Sequence, residues 1–139
     1  MLDNTALFAI TLVLLPMFYL LLAAPAFLLV RLNVTPIARL LRGMFDSYFI
    51  VLALAGAVGL VAVATAGRLA LVAGFALLTA LAMASRRLFL QRAQFDIDQD
   101  TIDDEIARRL RRLHWSGMLS NAALLATVLL CLPLIVAPV

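Results

Sequence analysis

The sequence predicts an all-α fold: a polytopic membrane protein in which four transmembrane helices form an antiparallel bundle with cytoplasmic helical extensions. Apolar residues make up 65% of the chain, against roughly 45–50% in an average soluble domain, so lipid is the solvent that fits. Four apolar runs reach the length of about 17–25 residues that crosses a bilayer. We expect one domain over residues 1–139, with spans at about 6–30, 45–66, 69–85 and 116–136.

The first span, residues 6–30, is predicted to be a retained helix rather than a secretory signal. It is too long for a signal peptide, and no arginine or lysine precedes it. Pro16 and Pro25 each remove a backbone donor and free a carbonyl one turn earlier, at Leu12 and Leu21. We therefore expect kinks whose freed carbonyls need partners from neighbouring helices.

The connection over residues 31–44 is polar and basic, and two interpretations stay open. Pro36 can open a short interfacial helix whose arginines lie among the lipid headgroups, or the segment is simply a basic loop. The apolar face of such a helix would be formed by Ile37, Leu40, Leu41 and Met44.

The second span, residues 45–66, begins with polar and aromatic side chains and continues with many small ones. Asp46 follows Arg42 by four residues, which predicts a local ion pair. Close helix packing, within the chain or in a dimer seam, is predicted by two pairs of small residues four positions apart. These pairs are Ala53–Ala57 and Ala55–Gly59.

The third span, residues 69–85, follows the second after only Gly67 and Arg68. So short a connection predicts an antiparallel hairpin of spans two and three. We expect the third helix to continue beyond the membrane to about Gln94.

Residues 96–100, Asp-Ile-Asp-Gln-Asp, have the aspartate spacing of a calcium loop. Thr101 stands where that loop needs glycine, and Ala107 stands where it needs a bidentate glutamate. An acidic turn that balances the nearby arginines explains the spacing better. Thr101 and Asp104 also have the spacing of a capping box, so we expect the next helix to begin at Thr101.

That helix is expected to run from the charged connection, residues 86–115, into the last span, with Gly117 as a bend. Its polar part has an apolar stripe at helical spacing, surrounded by arginines. The stripe consists of Ile102, Ile106, Leu110 and Leu113.

The arginines predict the orientation in the membrane. Ten of the 11 basic residues lie in connections 31–44 and 86–115, and Arg68 is the remaining one. The positive-inside rule puts both large connections in the cytoplasm and both termini outside, in a bacterial inner membrane. The net charge of +3 is explained by contacts with lipid headgroups, so we expect no nucleic-acid partner.

One polar constellation lies at the start of the last span. His114 and Asn121 are seven residues apart and share a helix face, with Met118 between them. These three residues are candidates for binding haem or a quinone; an interfacial histidine without a ligand is the alternative. Asn121 is more simply expected to bond a freed carbonyl, Tyr19 or Ser47.

Catalytic groups are not evident in the sequence. No ionisable residue lies in the middle of an apolar run, where proton-coupled transporters and pumps usually carry one. No nucleophile with a base and an orienting group can be assembled. The single cysteine, Cys131, permits no disulfide within the chain and no metal-ligand spacing.

Several positions resemble a known family, the bacterial four-helix membrane proteins related to eukaryotic transmembrane protein 205. They are the Leu-x-x-Leu-His-x6-Asn run from Leu110 to Asn121, Ala24-Pro25, and Ala38 followed by Phe45 and Tyr48-Phe49. The family's serine three residues after the histidine is absent, because Gly117 stands there. The resemblance implies four helices and a role for His114 and Asn121, but no reaction.

Three functions remain open at this point. The first is a non-catalytic accessory or assembly subunit of a larger inner-membrane complex, or a homo-oligomer, with lipids and other membrane subunits as partners. The second is a haem-, quinone- or lipid-binding protein that uses the His114 and Asn121 end of the last helix. The third is a small transporter component, with the prolines and glycines as hinges.

Overall fold

The computed structural model describes residues 3–97 and 102–135. Within those ranges the chain is helical and contains no strand, and its four long helices are apolar enough to cross a membrane. Both the all-α prediction and the prediction of four span-like helices are thereby confirmed. The elements are α1 (Asn4–Ala23), a short 3-10 helix (Ala24–Leu28), α2 (Thr35–Thr65), α3 (Leu69–Ile97) and α4 (Asp104–Ile135).

The two prolines act differently on the first helix. Pro16 lies inside α1, which continues past it, whereas the α-helix ends at Ala23 and Pro25 opens the 3-10 helix. Proline has no backbone N–H and restricts the residue before it, so the helix changes its geometry there. The change of geometry at Pro25 agrees with the kink predicted there, and the helical segment ends at Leu28, two residues before the predicted end of the span. At the other end, the Asp3 carboxylate caps α1 by accepting from two backbone N–H groups.

Residues 31–34 of the basic connection are not helical, and α2 starts at Thr35 with Pro36 in its first turn, as predicted. This helix is not a separate interfacial one, because it runs without a break to Thr65. Of the predicted apolar face, Leu41 is buried and Ile37 and Met44 pack against the core, whereas Leu40 is 65% exposed. A single stripe at three- and four-residue spacing passes from the polar turns into the apolar span. It consists of Ala38, Leu41, Phe45, Tyr48, Leu52, Gly56, Gly59 and Val63.

Helices α2 and α3 pack closely along two glycines of α2. A Cβ on Gly59 would lie 2.5 Å from a ring carbon of Phe75, and one on Gly56 would collide with the hydroxyl of Thr79. The small residues therefore serve packing within the chain. Gly56 and Gly59 face α3, while Ala57 of the predicted pairs is exposed.

The turn between α2 and α3 depends on Gly67, whose φ of 74° is readily adopted only by glycine. Arg68 follows and donates to the Asp3 carboxylate at 2.8 Å. This ion pair fastens the first turn of α1 to the hairpin.

Asp46 pairs across helices rather than along its own. Its Oδ1 atom accepts from Nε of Arg86 on α3 at 2.7 Å. The prediction that Asp46 pairs with Arg42 is wrong, because the antiparallel hairpin of α2 and α3 brings Arg86 opposite Asp46. Both side chains are about one-third exposed, so the pair is worth at most about 1 kcal/mol.

Helix α4 runs from Asp104 to Ile135 and passes through Gly117 without a break. It begins three positions later than predicted, with Asp104 and Glu105 in its first turn; Thr101 lies outside the described residues. Of the predicted stripe, Ile102 and Leu110 are buried.

The side chains of residues 96–100, compared above with a calcium loop, also lie outside the described part.

The helices pack in the order α3, α2, α1, α4. Helix α2 contacts both α1 and α3 extensively, and α4 packs mainly on α1. Helices α3 and α4 touch only sparsely. This arrangement leaves an opening between them.

Candidate functional site

Asn121 joins three helices through its buried side chain. The Nδ2 group donates to the backbone carbonyl of Met17 on α1 at 3.0 Å. The Oδ1 atom accepts from the hydroxyl of Tyr48 on α2 at 2.6 Å. An amide buried in an apolar interior needs such partners, because an unpaired polar group there costs several kcal/mol.

The predicted structural role of Asn121 is confirmed, but its predicted partners are wrong. Tyr19 is 62% exposed and points away from the core, and Ser47 is exposed as well. The carbonyl that Asn121 meets belongs to Met17 and is not one freed by a proline. Tyr48 replaces Tyr19 because it lies on the buried stripe of α2.

His114 is fully buried and enclosed by aromatic rings. The Phe45 ring meets it edge-on at a centroid distance of 5.7 Å, and the Phe27 ring lies at 6.2 Å. The Ala24 carbonyl is near the imidazole, yet neither ring nitrogen makes a hydrogen bond of acceptable geometry within the described residues. The imidazole is therefore enclosed between helices, and its place at the membrane interface, the alternative from the sequence, stays a prediction.

Gly117 forms a notch in α4 that receives the ring of Phe45. A Cβ at this position would lie 2.5 Å from one ring carbon of Phe45 and 2.8 Å from the next. The same ring lies 4.7 Å from the Phe89 ring of α3. Phe45 thus holds α2, α3 and α4 together, and the predicted bend at Gly117 is instead a close approach.

The opening between α3 and α4 is a cleft of about 460 Å³. Its floor is formed by Tyr48, Phe49 and Leu52 of α2, and leucine is the most frequent residue of its walls. A volume of this size falls in the range of ligand pockets, about 300–1,000 Å³. The polar residues that line it are Tyr48, Ser85, Arg92, Ser116, Ser120, Asn121 and Thr127.

Polarity changes along the length of the cleft. Arg92 and Leu78 both line it, and the stretch of α3 between them is roughly 21 Å long at about 1.5 Å per residue. Arg92 lies at the end near the charged part of α4, and the serines follow. The other end is apolar apart from Thr127, whose hydroxyl donates to its own helix at the Ala123 carbonyl.

The three residues predicted to bind a cofactor have separate surroundings. Asn121 lines the cleft, whereas His114 and Met118 do not. Met118 is half-buried and packs against the core. His114 and Asn121 share a face of α4, as predicted, but they contact different groups, so a role for all three in one site stays a prediction.

A second groove, on the outer side of α1 and α2, has a different chemistry. It measures about 700 Å³ and is lined by apolar side chains, with Tyr19, Ser47 and Tyr48 as its polar members. No charged residue is among the described residues that line it. The cleft between α3 and α4 is therefore the better candidate for a polar or amphiphilic ligand.

Arg111 secures the end of the 3-10 helix to α4. Its guanidinium donates to the carbonyls of Leu28 and Val30, both at 3.3 Å. Carbonyls at a helix end have no partner in their own helix, and a basic side chain satisfies them. This contact could not be predicted from the sequence, because the two segments are far apart in the chain.

Comparison of the chain with protein-family models, with curated proteins and with solved structures gives no match. The resemblance to relatives of transmembrane protein 205 thus remains an expectation from a few residues. No group of three or more potential metal ligands occurs in the part of the chain that the structure describes.

Proposed function

We propose that the protein is a non-catalytic, multi-pass protein of a bacterial inner membrane that binds an amphiphilic, lipid-like molecule between α3 and α4. In this proposal the four helices form an antiparallel transmembrane bundle that is open on one side. The observation that carries the proposal is the cleft, with its apolar walls and polar residues toward one end.

In a bilayer, the molecule that fills such a cleft has to match both its apolar and its polar lining. An acyl chain alone would satisfy the leucine walls but would leave the hydroxyls of Ser116 and Ser120 without partners. A molecule with a polar head and an apolar tail satisfies both. Tyr48 and Asn121 are already paired with each other, so the serines and Arg92 are the groups that would bind the head.

The proposed orientation fits this polarity. With both termini outside, the charged connection and Arg92 lie at the cytoplasmic surface. The cleft would then open at the headgroup level of the inner leaflet and become apolar toward the middle of the membrane. A quinone is a member of this ligand class; haem at His114 is less well supported, since Phe27 and Phe45 enclose the ring.

A second function, an accessory or homo-oligomeric subunit, is favoured by the exposure of the two outer helices. Only 11% of the apolar window of α3, and the same share for α4, is buried inside the protein. The corresponding shares are 39% for α1 and 33% for α2. A helix from another subunit would cover the outer faces that are left to lipid in the monomer.

Native mass spectrometry of protein extracted gently from its own membrane tests the proposal. We expect the protein to carry one tightly held lipid-like molecule. In an Ala123→Phe variant, where a large ring enters the cleft, that mass should be lost. Ala122→Phe is the matched control, because Ala122 is exposed on the same helix and does not line the cleft.

The outcomes separate the two functions. Equal retention of the small molecule by both variants would contradict a ligand in the cleft. Co-purification of other protein subunits that Ala123→Phe displaces would favour the accessory function instead. A bare chain with neither ligand nor partner would contradict both.

A further inference from the structure

We infer that the molecule held between α3 and α4 is an anionic phospholipid of the inner leaflet, with its phosphate at Arg92. This inference rests on the proposed function and names the substrate class of the same cleft. It depends on charge, on the order of polar groups along the cleft and on the length of the cleft.

Arg92 is the positive group on the rim of the cleft. Its side chain is exposed and lines the opening, and it takes part in none of the ion pairs found among the side chains that the structure describes, those of residues 3–93, 102–133 and 135. Arg86, which is closer to the middle of α3, is instead paired with Asp46. A guanidinium binds a phosphate through two parallel hydrogen bonds, which suits Arg92 to a phospholipid head.

The hydroxyls lie where the glycerol and ester oxygens of that lipid would be. Ser116 and Ser85 follow Arg92 along the cleft, and Ser120 lies one turn deeper on α4. Beyond them the lining consists mainly of leucines and alanines, with Tyr48 and Asn121 paired to each other. The Thr127 hydroxyl is satisfied within its own helix. Along the cleft, the cation, the hydroxyls and the apolar walls follow one another in the same order as the headgroup, the ester region and the acyl chain of a phospholipid.

The length of the cleft agrees with one leaflet. A bilayer is about 40–45 Å thick with its headgroups, so one leaflet measures roughly 20–22 Å. The stretch of α3 from Arg92 to Leu78 is roughly 21 Å long. A lipid with its phosphate at Arg92 would therefore extend its chain to the apolar end of the cleft and no further.

Lipid titration followed by native mass spectrometry tests the inference. The detergent-purified full chain is titrated with phosphatidylglycerol and, separately, with phosphatidylcholine that has the same acyl chains. Four variants accompany the wild type: Arg92→Gln, its control Arg87→Gln, Ala123→Phe and its control Ala122→Phe. Arg87 is exposed on α3 and does not line the cleft.

We expect the first bound lipid to be phosphatidylglycerol by about fivefold, the effect of one basic residue at an anionic membrane surface, about 1 kcal/mol. Arg92→Gln should remove this preference, and Arg87→Gln should keep it. Binding of both lipids should fall in Ala123→Phe and persist in Ala122→Phe.

Other results overturn the inference in distinguishable ways. Equal binding of the two lipids, lost only in Ala123→Phe, would leave an amphiphile in the cleft but refute the anionic head. An equal loss of preference in Arg87→Gln would assign the selectivity to general surface charge. Lipid binding that Ala123→Phe does not change would overturn the proposed function together with the inference.

Discussion

Replacing Gly117 with alanine is expected to destabilise the protein by about 1–2 kcal/mol. The added Cβ would lie 2.5 Å from a ring carbon of Phe45, a distance that real Cβ contacts do not show. Phe45 cannot easily move away, because its ring also packs against Phe89 and His114. Overpacking of a core typically costs about 1–3 kcal/mol, and alanine recovers up to about 1 kcal/mol through its higher helix propensity.

The free energy of unfolding can be measured by titration with sodium dodecyl sulfate in mixed micelles. Gly74→Ala is the matched control, since a Cβ at Gly74 meets nothing within 4 Å. That variant should be as stable as the wild type or more stable by up to about 1 kcal/mol. The two alanine substitutions thus have opposite expected signs.

A second substitution tests whether the contact with the Phe45 ring causes the loss of stability in Gly117→Ala. Phe45→Leu removes the ring that the new methyl group would meet, so Gly117→Ala should cost much less in a Phe45→Leu background than in the wild type. The two substitutions would then be strongly coupled, as contacting residues are. If Gly117→Ala is as harmless as Gly74→Ala, or if its cost is unchanged without the Phe45 ring, the described contact between α2 and α4 is refuted.

Three further predictions concern contacts between helices. Tyr48→Phe leaves the Asn121 Oδ1 atom without its donor and should lower the free energy of unfolding by about 0.6–1.7 kcal/mol; no change in the same titration would contradict the 2.6 Å bond. The ion pair with Arg68 holds the pKa of Asp3 below its ordinary value. The contribution of this pair to the free energy of unfolding is therefore present above about pH 4 and is lost as the pH falls through the pKa of Asp3 in the folded protein. Asp3→Asn should remove that acid dependence from unfolding measured at several pH values, and an unchanged profile would refute it. Arg111→Gln should speed backbone hydrogen exchange around the 3-10 helix while exchange in α3 stays constant; uniform acceleration would indicate general destabilisation instead.

The number and type of the helices could be predicted from the sequence, because apolar length is a local property. The continuity of α4 through Gly117 followed from the absence of a proline between its polar and apolar parts. The sequence predicted a kink at each proline but not the difference between them, since a proline inside an apolar run is compatible with continuation of the α-helix, as at Pro16, or with its end, as at Pro25.

The burial of His114 could not be predicted in the same way. It stands at the junction of a charged segment and an apolar run, which is typical of an interfacial residue. Its cover comes from Phe27 and Phe45, which are distant in sequence. The composition of the segment around His114 does not predict which other helices pack against this side chain.

The partner of Asn121 depended on the rotation of each helix about its axis. Tyr19 and Tyr48 carry the same hydroxyl donor, but only Tyr48 lies on the buried stripe of its helix. Counting that stripe back from the small residues Gly56 and Gly59 at three- and four-residue steps would have selected Tyr48. No pattern in the sequence predicted the cleft, because the cleft results from the placement of α3 and α4 around α1 and α2.

Photo-crosslinking in the native membrane tests the central claim, a lipid-like ligand between α3 and α4, most directly. Cells are supplied with a phospholipid precursor that carries a photoreactive acyl chain, and the crosslinked positions are identified by peptide mass spectrometry. We predict that crosslinks concentrate at cleft residues such as Leu81, Leu88 and Leu124 and that Ala123→Phe removes them. An even distribution over the exposed leucines of all four helices, unchanged in Ala123→Phe, would contradict the account.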